Sequence, residues 1–284
     1  MTGRLVHTGQ VVVDLVLRVD ELPPAGGDVL ASEFLQTAGG GFNVMVAAAR
    51  SGAEVIYAGS HGSGNFGDIV RIALASEGIT VAQPITEPDT GISVALVDAT
   101  GERTFVTGPG AEGQVAEIAS DHSDIIYVTG YSLTHRHNSD ALADWLPEAP
   151  GLVLFDPGPL VADIPDDVWR RILPHVDVLS SNATEAAKLP QVDIPIRVRR
   201  DGPRGCEVTC DGKTVHIPGF PVTAVDTNGA GDAHTGVLAA ELLHGNNIED
   251  AARRANAAAA IAVTRKGPAT APTRAEIDCL TRAQ

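Results

Sequence analysis

The chain has 284 residues, 44% of them hydrophobic, enough for one large domain or two modest ones around a substantial core. Its 36 Asp plus Glu against 20 Lys plus Arg leave a formal net charge of −16, which repels phosphate backbones and anionic lipid and sets nucleic-acid and membrane-surface roles aside. Cys206, Cys210 and Cys279 form no CxxC pair and no metal-ligand spacing with histidine, so reduced thiols are expected rather than a disulfide framework.

Met1-Thr-Gly-Arg4 lacks the basic-then-apolar layout of an export signal, and no run approaches the roughly 20 apolar residues that span a bilayer, so a cytoplasmic protein is expected. Leu5–Thr8 with Val11–Val13 reads as a first strand, and Asn43–Ser51 as an alanine-rich helix. Val55–Ala58 reads as a strand, Phe66–Glu77 as a helix, and Ile125–Val128 and Leu152–Asp156 as short buried strands. Strands over Val176–Leu179, Ile196–Arg199 and Glu207–Cys210 follow, and Ala233–His244 and Ile248–Val263 are predicted as long helices closing the chain. Strand–helix alternation with continuously apolar strands implies an α/β fold whose parallel sheet is covered on both faces.

Two stretches break the rhythm. Leu15–Gln36 and Gly91–Thr107 are extended and turn-rich, and the second predicts a hairpin around an Asp98–Glu102 turn. Such a hairpin is either peripheral or part of a small β-lid over a cleft. The twelve residues from Asn182 to Asp193 must join two strands, which leaves room for a short helix at most.

The most informative stretch is Val225-Asp-Thr-Asn-Gly-Ala-Gly-Asp-Ala-His-Thr-Gly236, where a β-like approach (Phe220–Val225) meets glycines and then an alanine-rich helix starting near Asp232. Gly229, Ala230 and Gly231 carry little or no side chain, so their N–H groups can converge on one anion with the helix dipole behind them. A carboxylate at the mouth of such a hole, Asp232, is placed to take a proton from a hydroxyl attacking phosphorus. Taken alone, the same pattern is also a Gly-rich helix start that Asp232 merely caps.

Asp226-Thr-Asn-Gly-Ala-Gly-Asp232 resembles the C-terminal signature of the ribokinase-like (pfkB) sugar kinases, and Ala38-Gly-Gly-Gly-Phe-Asn43 resembles their early signature. Asn182-Ala-Thr-Glu185, Gly202-Pro-Arg-Gly205 and the run from Ala257 to Gly267 match further elements in family order, so the resemblance spans Gly9 to Asp278. It implies a three-layer, Rossmann-like single domain over residues 1–284, with a β-sheet lid from about 15–36 and 91–107 through which many relatives dimerise. It also implies an ATP- and Mg²⁺-dependent transfer of the γ-phosphate to a primary hydroxyl of a sugar, ribose-type first, with ketohexoses, keto-deoxy acids and nucleosides open. Gly101-Glu-Arg-Thr-Phe105 is similar to relatives acting on fructose or keto-deoxy sugars.

Carried over residue by residue, the resemblance makes Asp232 the catalytic base and Gly229, Ala230 and Gly231 the anion hole. Asp14, Gly39, Gly40 and Asn43 would bind the sugar, with Asp14 as a strand-end turn residue and Asn43 as a helix cap the structural alternatives. Asn182 and Glu185 would hold Mg²⁺ through water, and Arg200 would pair with phosphates, unless Asn182 simply caps a helix and Arg200 is an exposed strand charge. Gly202, Gly205, Asn256 and Ala259 would border adenine. Asp226, Asn228, Ala262, Arg265 and Gly267 match a site where many relatives bind a monovalent cation such as potassium, largely through backbone carbonyls.

Four positions depart from the pattern. Val12 replaces a polar sugar contact, and Ala271 replaces a hydroxyl offered to the monovalent cation. His234 replaces a bulky apolar residue, as either a packed core histidine or a pH-sensitive neighbour of Asp232, and the Asn182–Asp193 connection omits a helix. A sensor that binds without turnover would have no need of Asp232 at an anion hole. A dinucleotide-binding oxidoreductase fails because no GxGxxG follows the first strand.

Overall fold

The computed structural model describes residues 3–115 and 119–283. The apolar runs pair into a nine-stranded sheet in the order Lys213–Pro218, Gly205–Cys210, Ile196–Arg200, Val178–Asn182, Leu152–Asp156, Ile125–Thr129, Arg4–His7, Glu54–Tyr57, Thr80–Val81. The two pairings at the Lys213 edge are antiparallel and all the others are parallel.

Side chains alternate across the strands, so each strand feeds two cores. Leu5, Ile125, Leu154, Val178 and Val198 face one, under the helices Phe42–Arg50, Asn65–Ser76, Ala230–Leu243 and Ile248–Ala262. Val6, Ile126, Val153, Phe155 and Leu179 face the other, under Arg136–Trp145 and Asp166–Ile172. The result is the expected three-layer α/β/α arrangement. Leu154 and Leu238 are wholly buried, and truncating either to Ala would cost about 2–5 kcal/mol.

From Arg4–His7 the chain moves first to Glu54–Tyr57 on one side and later to Ile125–Thr129 on the other. The carboxyl ends of these parallel strands flank a topological switch point, where open α/β sheets place their ligands.

A second sheet of four strands, in the order Glu33–Gly40, Val11–Arg18, Ile92–Val97, Arg103–Gly108, forms from the two irregular stretches. The predicted hairpin is present: Val97 faces Arg103, and Asp98 closes the turn by accepting from the N–H groups of Thr100 and Glu102.

Several sequence expectations shift. Leu5–Thr8 and Val11–Val13 are not one strand: Gly9 and Gln10 interrupt the run, Arg4–His7 stays in the large sheet, and Val11–Arg18 crosses to the small one. The small sheet therefore begins at Val11 rather than near residue 15, and residues 19–32 lie outside any strand. Phe220–Val225 is not a strand either, since Pro221 has no N–H to give and the Val225 N–H goes to the Val263 carbonyl. A further helix, Arg274–Arg282, ends the chain behind a Thr273–Glu276 capping box. Between Asn182 and Asp193 only the four-residue helix Ala183–Ala186 fits, as expected. Among the described residues no helix is long and apolar enough to cross a membrane.

Candidate active site

The helix Ala230–Leu243 starts behind Gly229, which adopts a left-handed conformation (φ 74°) that an L side chain would strain. First-turn N–H groups have no intrahelical partner, and here that of Ala230 donates to the Thr227 carbonyl at 3.4 Å. The same helix packs so closely on Phe42–Arg50 that a Cβ at Gly236 would fall 2.3 Å from the Val44 carbonyl oxygen. That contact brings Asn43 Nδ2 to 3.1 Å from Asp232 Oδ2. Asn43 is inside its helix, whose N-cap is Gly41, so capping is not its task. Its Oδ1 is buried without a partner among the described residues, an acceptor left for a ligand hydroxyl.

Asp14 sits in the middle of Val11–Arg18, not at a strand end, and Gly39 on the neighbouring strand makes room for it. A Cβ at Gly39 would lie 2.0 Å from Asp14 Oδ2. Burial pushes the Asp14 carboxyl up to about 6, helped by the charge of Asp232. Burial likewise pushes Asp232 up to about 6, against the Asn43 hydrogen bond and with the charges of Asp156 and Glu185 adding to it. A carboxylate so poised is a competent proton acceptor near neutral pH. Val12, beside this pair, is buried and paired with Gly39, and Gly40 follows with a positive φ of 62°.

Three consecutive parallel strands end in Asp156, Asn182 and Arg200. Arg200 is not an exposed strand charge. Its guanidinium donates to Asp156 Oδ2 at 2.6 Å, Glu185 Oε2 at 3.1 Å, Thr235 Oγ1 at 2.7 Å and Ser180 Oγ at 3.0 Å. Burial works against its charge, but Asp156 and Glu185 outweigh burial and raise its pKa. Gly231 lies over it, a Cβ there being 3.7 Å from the Arg200 Cζ. Arg200 is thus beneath Gly231 and already committed to two carboxylates.

Asn182 and Glu185 form a capping box on Ala183–Ala186, so the capping alternative holds for Asn182. Burial and the charge of Asp156 push the Glu185 carboxyl up, against the Asn182 N–H and Arg200. Two carboxylates against one guanidinium leave an excess negative charge where a hydrated Mg²⁺ could be received. Asp156 was not singled out by the sequence, although an Asp closing a buried parallel strand is the available signal.

Asn256 has its amide engaged, donating to the Ile217 and Pro218 carbonyls and accepting from His234 Nε2 at 3.2 Å. It braces the wall behind the Gly202–Gly205 turn, with Ala259 one helical turn further on. His234 is a packed core histidine: burial first, then Arg200, holds it neutral with a pKa down to about 3.

The segment expected to bind a monovalent cation is occupied by the protein's own groups. Asp226 accepts from the Asn228 N–H at 2.9 Å, the Gly267 N–H at 3.1 Å and Arg103 Nη2 at 2.5 Å. The Ala262 carbonyl accepts from the Arg265 N–H and the Thr270 hydroxyl, and Arg265 turns its guanidinium to the Thr270 carbonyl and Glu276. With Arg103 on it, the Asp226 carboxylate already has a cationic partner from the protein itself.

The sequence matches the pfkB family carbohydrate kinase over residues 2–274. It is 34% identical over 286 residues to the ATP-dependent ribose-1-phosphate kinase of Halopiger xanaduensis, covering 95% of each chain. It is 32% identical over 294 residues to an uncharacterized sugar kinase, YegV, of Escherichia coli, covering 95% of this chain and 91% of that one. The fold is that of the Arabidopsis thaliana ribokinase complexed with ribose and ATP, with a TM-score of 0.81 at 23% identity over 99% of each chain.

Proposed function

The chain belongs to the pfkB family of carbohydrate kinases, and on that premise we propose that it phosphorylates a primary hydroxyl of a ribose-type sugar with Asp232 as base. The observation that carries this reading is the desolvated Asp232 carboxylate, held by Asn43 and by the first turn of Ala230–Leu243 beside Asp14.

Asp14 and the free Asn43 Oδ1 orient the sugar hydroxyls. Asp232 takes the proton of the acceptor hydroxyl as its oxygen bonds to the γ-phosphorus, and the bond to the β-phosphate oxygen breaks to release ADP. The N–H groups of Gly229, Ala230 and Gly231 stabilise the equatorial oxygens of the transferring group, with Arg200 and its carboxylate partners fixing the floor beneath Gly231. Magnesium, when bound, neutralises phosphate charge, and Asn182, Glu185 and Asp156 would hold its water shell. Asn256, Ala259 and the Gly202–Gly205 turn wall the nucleotide side.

The small sheet is proposed to act as the lid. Its outer strands are edges: Glu33–Gly40 exposes Phe34 and Leu35, and Arg103–Gly108 exposes Phe105 and Val106. Unpaired apolar edges invite pairing, and a second copy of this chain is the proposed cover. Light scattering is expected to give a dimer, and a monomer at working concentration would contradict this.

The acceptor is tested by ADP release from MgATP with ribose, ribose 1-phosphate, ketohexoses, keto-deoxy acids and nucleosides. Turnover with ribose or ribose 1-phosphate above the rest is expected. Turnover confined to another class would replace the ribose assignment, and tight binding without ADP from any acceptor would make the protein a sensor.

A further inference from the structure

Three guanidinium groups hold the chain on the two sides of Gly229–Gly231, Arg103 before it and Arg265 and Arg50 after it. Arg103, from the outermost strand of the lid, donates to Asp226, whose side chain is only 6% exposed. Arg265 holds the Thr270 carbonyl. Arg50, from the end of Phe42–Arg50, donates through Nη1 to the Ala269 and Ala271 carbonyls at 3.1 and 2.9 Å, with Glu77 bound to its other nitrogens. Ala269 has a positive φ of 52°, rare for a residue with a Cβ, and this carbonyl clamp sits on it.

A metal ion bound mainly by carbonyls and one carboxylate does two things: it cancels charge at the carboxylate and fixes the loop that carries the carbonyls. Here guanidiniums do both. Asp226 has its carboxylate neutralised by Arg103 while still accepting from Asn228 and Gly267, so it pins the two strands of chain on either side of the anion loop. Ala271 contributes no hydroxyl, and its carbonyl belongs to Arg50.

We propose that the Arg103 guanidinium takes the place of a monovalent cation at Asp226, making the anion loop independent of potassium and tying it to the lid strand Arg103–Gly108. Arg103 is then a positioning residue, acting through Asp226 and Asn228 on Gly229, Ala230 and Gly231. This rests on the kinase reading for its activity readout, and has a second readout that does not.

The test compares wild type, Arg103→Ala and Arg103→Lys in potassium, sodium or N-methylglucammonium chloride at constant ionic strength, by steady-state ADP release and by thermal melting without substrates. Wild type is expected to show the same kcat within about twofold, and the same melting temperature, in every salt. Arg103→Ala is expected to lose about tenfold in kcat in N-methylglucammonium, and to recover activity and melting temperature with potassium or added guanidinium. Arg103→Lys should retain most activity without potassium. Wild type activated or thermally stabilised by potassium over N-methylglucammonium would overturn the proposal, as would an Arg103→Ala enzyme that no cation rescues or that behaves as wild type. If no acceptor turns over, the kinase reading fails and the melting arm alone decides: only a potassium response confined to Arg103→Ala supports the stand-in.

Discussion

The surroundings of Asp232 and the small four-stranded sheet are built by opposite means. Around Asp232, polar groups are buried and mutually committed: Asn43 to Asp232, Arg200 to Asp156 and Glu185, His234 to Asn256. On the small sheet, apolar side chains such as Phe34, Phe105 and Val106 stand exposed, and Arg103–Asp226 ties its outer strand to the chain just before Gly229. The contrast teaches where each kind of change should register. A buried, over-determined site answers substitution with loss of stability or chemistry, while an exposed sheet answers with changed assembly and little else.

The largest expected effect lies under the anion loop. Arg200→Ala leaves Asp156 and Glu185 buried without their cation and should cost about 3–5 kcal/mol in denaturant melts. A loss below about 1 kcal/mol would mean that water already screens this cluster. Next, Asp14→Asn keeps the shape of the proposed sugar site but not its charge, and should lower kcat/KM about ten- to hundredfold, chiefly through KM.

The pH dependence has a definite sign. Asp232 and Asp14 have carboxyl pKa values of about 6, above their ordinary 3.8, so the unfolded chain gives up these protons before the folded one does. Their burial therefore weakens the fold as pH rises from about 4 to about 6, and the full cost, on the order of 3 kcal/mol for either group, stands above that window. Asp232→Asn should accordingly stabilise the protein at pH 8 more than at pH 4. In wild type kcat/KM should climb with pH and level off above about 6 as the base ionises. The smallest effect is on the small sheet, where Phe105→Ser should change stability by no more than about 0.5 kcal/mol yet shift the proposed dimer towards monomer in light scattering.

The layers and the glycine-led start of Ala230–Leu243 were legible in the sequence because each signal is local: apolar runs of strand length, and glycines in front of an alanine-rich helix. What escaped depends on contacts between distant segments. Arg200 could be placed on a strand, but its commitment to Asp156, 44 residues earlier, required two strand ends to be neighbours. Arg103 read as part of a turn-rich hairpin, and its partner Asp226 lies 123 residues away. The helix Arg136–Trp145 was not recognised because its buried stripe includes Asn138 and Ser139 beside Leu142 and Ala143, so apolar periodicity is weak. Gly9 marked the break between two sheets, which a run of valines beyond it concealed.

The most direct test is single-turnover ADP formation by wild type and Asp232→Asn with the best acceptor, alongside nucleotide affinity. With Asp232 as base, the variant binds MgATP as wild type does and loses about a thousandfold or more in the phosphoryl-transfer rate. An Asp232→Asn enzyme that transfers phosphate within about tenfold of wild type would contradict the account, because the proton would then leave by another route.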